Sequence, residues 1–396
     1  MTYLKKWLSD FRSIAQRELG QIFSDSGVLL IFFIAGLAYP LLYNFVYLNG
    51  TYDDMPIAVV DNADCYESRE FIRECDATRE LRVEYRCTDM NEARRLMEQR
   101  KVKGIMMFPR DFGEKMAYKE TATLSVYCDM SSFFYYKCLL MGANHVMLQE
   151  MGDIQLMRYT DAGMTDQEAA QLVQAVPYEE NNPYNPAFSY SIFLISVILL
   201  IIIQQTMFYG MSLLQGTMRE RGSSFSLIPG MESRRGALRI VFGRGAAYWL
   251  IYMAVGLYIA VIVPALFGVP QRGDFWDVVL LILIFVTDCV FFSLTWSSFI
   301  TRRESVFVLF LFMSPICVFL TGTSWPVSAM PGFWKLFSYI FPSTFGAQAF
   351  INISTAGGDL LNARGQLKHM VIQTDVYFVL AAVLTYLENL RATAKK

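Results

Sequence analysis

Histidine is almost missing from this chain: there are two in 396 residues, His145 and His369, far apart and with no His-Glu-x-x-His pair. Cysteine occurs seven times but never as Cys-x-x-Cys, so no metal-ligand spacing is present and no metal site is expected. No Gly-x-x-x-x-Gly-Lys-Ser/Thr run occurs either, which excludes a phosphate loop and, with it, nucleotide hydrolysis by these residues. Gly243-Arg244-Gly245 starts like a dinucleotide fingerprint, but it lacks the third glycine and enters an apolar run. Charge is scarce as well. Only 18% of residues are charged and 54% are hydrophobic, with a mean hydropathy of +0.32, whereas an ordinary soluble domain is about 25% charged. An ordinary soluble protein is excluded.

The charge that is present is unevenly placed. Residues 49–187 hold 24 Asp+Glu against 15 Lys+Arg, a net −9, while the rest of the chain carries +7. One acidic soluble domain is thus embedded in a basic, apolar protein. Its first long apolar run, residues 28–48, is 21 residues without a charge. At 1.5 Å per residue that is enough to cross a hydrocarbon core about 30 Å thick. A cleaved signal peptide is the competing reading, but its apolar region would be about 7–15 residues long and end at a small-residue site. Leu48-Asn49-Gly50 offers no such site, so the run is expected to be an uncleaved span. Ahead of it, Leu4, Trp7, Leu8, Phe11, Ile14 and Ala15 recur at helical spacing among Lys5, Lys6, Arg12 and Arg17. Residues 1–27 are therefore expected as a cytoplasmic, interfacial amphipathic helix.

Five further apolar runs follow, at 188–214, 246–267, 278–299, 306–320 and 371–387. Six spans put both termini on one side. The fifth is short, but the stretch after it, 321–350, is also apolar and broken by Pro326, Pro331 and Pro342, so a re-entrant segment is expected to complete the crossing. Lysine and arginine near the span ends set the orientation. Four precede the first span, six lie from Arg219 to Arg244, two are Arg302 and Arg303, and three follow the last span. These share one side, expected to be the cytoplasm of a bacterial cell whose inner membrane holds the spans. The short loops opposite hold Arg272, Lys335, Arg364 and Lys368. Residues 49–187 are then extracytoplasmic.

Within 49–187, the apolar stretch at 55–61 reads as a buried strand, and further strands are expected at 82–85, 104–108 and 123–128. Helical patterns alternate with them at 68–75 (with Ser68 available as cap), 91–100 and 112–118, and continue at 131–158 and 165–176. Alternation of this kind implies an α/β domain with a mixed sheet. Cys65, Cys75, Cys87, Cys128 and Cys138 lie here, Cys289 and Cys317 in spans. One or two bridges, such as Cys65 with Cys75, and buried free thiols stand as equal alternatives.

The segment 215–245 contains Glu220-Arg221-Gly222-Ser223, then Phe225, Leu227, Ile228 and Pro229. It resembles the cytoplasmic loop of type-2 ABC exporter permeases (ABC-2 type), in which Glu-basic-Gly-Thr leads into a short amphipathic coupling helix ending near proline. Members often carry Glu where this chain has Phe225. Gly322, Pro326, Met330-Pro331 and Phe341-Pro342 are similar to that family's re-entrant segment, and 57–61 with 105–112 look like the insert of the subfamily with a large domain between spans one and two. The resemblance implies an α-helical membrane protein of six transmembrane helices plus an inserted α/β extracytoplasmic domain, within 188–396 a coupling loop and a re-entrant segment. It further implies an exporter of drugs or lipid-linked compounds that binds no cofactor directly and uses ATP through a partner ABC ATPase. A second permease copy, identical or not, is implied, in some members beside a periplasmic adaptor; membrane lipid surrounds the spans, and no nucleic acid is expected.

Two other features carry alternatives. Asp288 stands mid-span, where an ionisable group is costly unless it faces a cavity or a partner; a functional role and a hydrogen bond to a neighbouring span both fit. Gln204 and Gln205 are expected to glue helices together, and Tyr39, Tyr43 and Tyr47 to form an aromatic belt. For Arg219, Arg221, Arg234 and Arg235 taken singly, the positive-inside bias with anionic lipid contact is the plainer explanation, beside a role in coupling. A different class of function also accommodates the sequence: a membrane-anchored scaffold whose outer domain recruits a partner. An anchor needs one span rather than six, which favours transport.

Overall fold

Ile57, Ala58, Val59 and Val60 are all buried, side by side, because the strand that carries them is covered on both faces. That strand, β1 (Met55–Asp61), pairs in parallel with β2 (Leu81–Cys87) and with β3 (Gly104–Phe108), and β3 pairs antiparallel with β4 (Ser125–Cys128). The order β2-β1-β3-β4 is the mixed sheet the alternation predicts. On one face Ile57 and Val59 pack with Phe71 and Ile72 of helix Tyr66–Ala77 and Leu139 of helix Phe133–Asp161. On the other, Ala58, Val60 and Ile105 pack with Ala93 of helix Met90–Glu98. Helices Phe112–Ala117 and Asp166–Val173 complete this unit. One local expectation is corrected: Cys65, not Ser68, caps the first of these helices. The helix starts two residues earlier than the apolar pattern, and Ser68 closes the capping box from its third position while donating to Asp61 Oδ2 at 2.7 Å.

The computed structural model describes residues 2–48, 50–118, 120–173, 185, 189–222 and 234–394. The chain divides into two units, Thr51–Asn182, which holds the sheet, and Met1–Gly50 with Pro183–Lys396. In the latter, five helices among the described residues are long and apolar enough to cross a membrane: Ser26–Val46, Leu194–Glu220, Gly236–Leu266, Phe275–Ser297 and Arg364–Arg391. A shorter apolar helix, Ser305–Leu320, lies fifth in chain order, at the run read as a short span. We call these six the first to sixth apolar helices. The second is the centre of the unit, with 94% of its apolar stretch buried, against 22% for the sixth.

Residues 321–350 form broken helix, with Gly322 in a left-handed turn at φ +86°, a 3-10 turn Val327–Ala329 after Pro326, helix Gly332–Ser338 after Met330 and Pro331, and helix Pro342–Phe350. Such breaks free backbone groups that lipid cannot satisfy. Side chains of this unit take them up. Gln204 Oε1 accepts the Ser343 N–H at 2.6 Å, Gln373 donates to the Tyr339 carbonyl at 2.6 Å, Tyr377 to that of Ile340 at 2.6 Å, and Gln348 to that of Thr321 at 3.0 Å. Gln204 is therefore helix glue, as read, and its amide and that of Gln205 also reach Cys317 Sγ, Gln205 at 2.9 Å.

Candidate functional site

The N-terminal helix, Thr2–Ser24, places Asp10, Ile14, Glu18 and Ile22 on one stripe, since residues four apart share a face. Ile14, Glu18 and Ile22 are all buried, so this stripe packs on protein, against the third apolar helix. Asp10 pairs with Arg239 at 2.6 Å. Four residues on, Gly243 allows the helices to touch, because a Cβ there would lie 2.8 Å from Ile14 Cβ. The glycine of the apparent dinucleotide fingerprint thus has a packing role. Next to it Arg244 donates to Glu18 Oε1 at 3.0 Å and to Gln215 Oε1 at 3.1 Å, and the Tyr248 hydroxyl donates to the same Glu18 oxygen at 2.6 Å.

The second apolar helix ends at Glu220 and the next helix begins at Arg234, so the expected loop 215–245 is helical at both ends. Its flanks are tied to the same end of the unit. Arg219 pairs with Glu388 on the sixth helix and donates to the carbonyls of Ser298 at 2.6 Å, the C-cap of the fourth helix, and of Ile300 at 2.8 Å in the turn after it. Glu220 accepts the Arg303 N–H at 2.8 Å. The Arg303 guanidinium forks onto both Asp25 oxygens at 2.6 and 2.9 Å and reaches Thr217 Oγ1 at 2.6 Å. Asp25 also caps the first apolar helix, accepting from Gly27 and Val28. The Arg303 side chain, above all, holds the Asp25 carboxyl below the usual carboxylate range.

Along the first, second and fifth apolar helices lies an apolar groove of about 550 Å³. Leu30, Tyr39, Ile202, Tyr209, Phe310 and Pro315 are among its walls. Its polar groups are few: the Tyr209 hydroxyl lies 3.5 Å from Ser314 Oγ, and Gln205 and Thr206 also face it. Tyr39 and Tyr43, read as belt residues, both line this groove.

Of the residues singled out in the sequence, Glu220, Arg221 and Gly222 stand at the start of the connection, with Gly222 at φ +64°. Ser223, Phe225, Leu227, Ile228 and Pro229 lie outside the described residues. Asp288 is completely buried on the fourth helix. Neither of its carboxyl oxygens has a hydrogen-bond partner at standard geometry among the described residues. The Thr374 hydroxyl lies close enough to interact, but it gives its hydrogen to the Met370 carbonyl at 2.9 Å. The seven cysteines are all free thiols. Among the described residues no group of His, Cys, Asp and Glu could hold a metal ion.

The sequence reading missed Glu18, Asp25, Arg303 and Glu388 as partners, treating the arginines as topology signals. One signal was available: Glu18 sits in register with Ile14 and Ile22, and an acid on a buried stripe needs a cation.

Four helices of spanning length around a buried fifth, among the described residues, define a multi-pass α-helical membrane protein. The family model described as ABC-2 family transporter protein matches residues 26–383, and the chain belongs to this family of ABC transporter permeases. Membership makes the chain a transporter permease and implies association with an ABC ATPase. No curated protein matches the chain.

Proposed function

We propose that the chain is the permease subunit of an ATP-driven exporter, in which the 221–233 connection faces the cytoplasm and seats on a separate ABC ATPase. One observation carries this reading. Both flanks of that connection are held by ion pairs and hydrogen bonds to the helices that line the apolar groove or pack behind it, so force on the loop reaches the groove. The groove's walls suit a hydrophobic or amphipathic substrate such as a drug or lipid-linked compound. Two copies pair, the six apolar helices and the broken segment 321–350 form the membrane part in the bacterial inner membrane, and both termini lie on its cytoplasmic side. The 51–182 unit then stands outside, where a periplasmic adaptor would meet it.

The coupling segment is tested by replacing Phe225 and Leu227 together with alanine. Truncating packed anchors costs about 2 kcal/mol or more, roughly a thirtyfold loss of affinity, while rim charges such as Arg234 and Arg235 cost much less. The double variant is expected to insert normally, lose co-purifying ATPase and stop exporting. Normal export with the ATPase still bound would reduce the loop to a linker and return the anchored-scaffold reading.

A further inference from the structure

The three helices that wall the groove converge at one end on a single residue, Arg303. Its guanidinium holds Asp25, the cap of the first helix, and Thr217 in the last turn of the second. Its peptide N–H donates to Glu220, the last residue of that second helix, and its carbonyl accepts the Val306 N–H at 3.3 Å in the first turn of the fifth. The seat has no slack. A Cβ on Gly27 would lie 2.6 Å from Arg303 Nη2, and one on Gly216 would lie 2.8 Å from the Arg303 backbone nitrogen. Groove residues follow at once on each wall: Leu30, Leu213 and Val306 are each within about one to one and a half turns of the Arg303 contacts.

We propose that Arg303 is a latch at the loop-side end of the groove, a positioning residue whose displacement frees the first, second and fifth apolar helices together; its use in transport rests on the reading above. The Glu18–Arg244 pair does not fit this role. Glu18 of the Glu18–Arg244 pair is fully buried, so separating that pair strands charge away from water. The Arg303 side chain keeps 32% of its surface and that of Asp25 11%, and Glu220, the partner nearest the loop, is exposed. Water can replace the Arg303 and Glu220 sides of these bonds as they part, at a lower cost than separating the Glu18–Arg244 pair. A pull on the 221–233 connection therefore acts first on Glu220 and through it on Arg303, while the Glu18–Arg244 joint stays closed.

Hydrogen exchange on the full chain in lipid nanodiscs tests the latch. Arg303→Gln is expected to speed exchange at least tenfold in 28–31, 213–218 and 306–309 together, leaving Phe275–Ser297 and the 51–182 unit unchanged. Arg303→Lys, which keeps the charge, should recover part of the protection. Glu220→Ala should give the same pattern at lower amplitude, although among the described residues Glu220 bonds to the Arg303 N–H and not to Asp25. A change confined to 26–29, as loss of a helix cap alone would give, overturns the latch, and so does a change spread over the whole membrane unit. ATPase association is scored separately on the wild-type chain, so failure of the latch and failure of the transporter reading are told apart.

Discussion

Arg244 Nε lies 3.0 Å from Glu18 Oε1, and Glu18 has no exposed surface. The two residues are 226 positions apart, on the N-terminal helix and the third apolar helix, and Glu18 Oε2 has no hydrogen-bond partner among the described residues. An incompletely satisfied buried pair contributes little net stability, yet breaking it exposes an unpaired charge to a low dielectric. Its clearest effect is to set the register of the two helices.

Replacing one partner should therefore cost more than replacing both. Arg244→Met or Glu18→Gln is expected to destabilise the membrane unit, the former by about 3–5 kcal/mol because it leaves a bare carboxylate. Glu18→Leu with Arg244→Met should cost clearly less than the sum of Glu18→Leu and Arg244→Met alone. Unfolding of the detergent-solubilised variants measures the coupling; strict additivity would mean that the pair does not interact.

Two glycines of this helix pair, one on the contact and one off it, should respond in opposite directions. At Gly243 a Cβ would meet Ile14 at 2.8 Å, whereas at Gly20 nothing lies within 4 Å. Gly243→Ala is expected to lower the Tm through a forced shift costing about 1–3 kcal/mol. Gly20→Ala should raise it, since alanine is favoured over glycine in a helix by up to about 1 kcal/mol.

The Asp25–Arg303 joint should carry an acid limit. Arg303 lowers the Asp25 pKa below its unfolded value, so the pair's contribution is complete above the ordinary aspartate range and disappears as pH falls through the depressed native value. Exchange protection at 26–31 is expected to be flat from pH 8 to 5 and to fall only below about pH 4. Asp25→Asn should start lower and lose that acid step.

The thiol of Cys75 should be inert in the folded 51–182 unit. Burial, above all, pushes it up to about 12, so at pH 8 only about one molecule in ten thousand carries the thiolate. Alkylation at Cys75, followed by mass spectrometry, should wait for denaturant and then appear in one cooperative step. Rapid labelling of the native unit would show that its core opens.

Periodicity and charge carried much of the fold. Six apolar runs, the strand at 55–61 and the alternation after it could be read because lipid and a covered sheet each impose a composition on the residues they touch. Helix ends were harder. The second apolar helix continues past the apolar run to Glu220, and the third starts at Arg234 rather than at 246, because Arg219, Arg239 and Arg244 find carboxylates or carbonyls inside the unit. A charge counted along the chain marks a boundary; a charge with a partner does not.

Composition and spacing were enough to show that this chain lives in a membrane, carries an α/β unit of opposite charge, and lacks a phosphate loop. They were enough because solvent and lipid select residue types one position at a time. It took the packed helices to show that Tyr39 shares a groove with Phe310, that Glu18 meets Arg244, and that Arg303 joins Asp25, Thr217 and Glu220. Those partners lie tens to hundreds of residues apart, and which of several arginines faces which carboxylate depends on helix register, which close contacts such as Ile14 on Gly243 and Arg303 on Gly216 set.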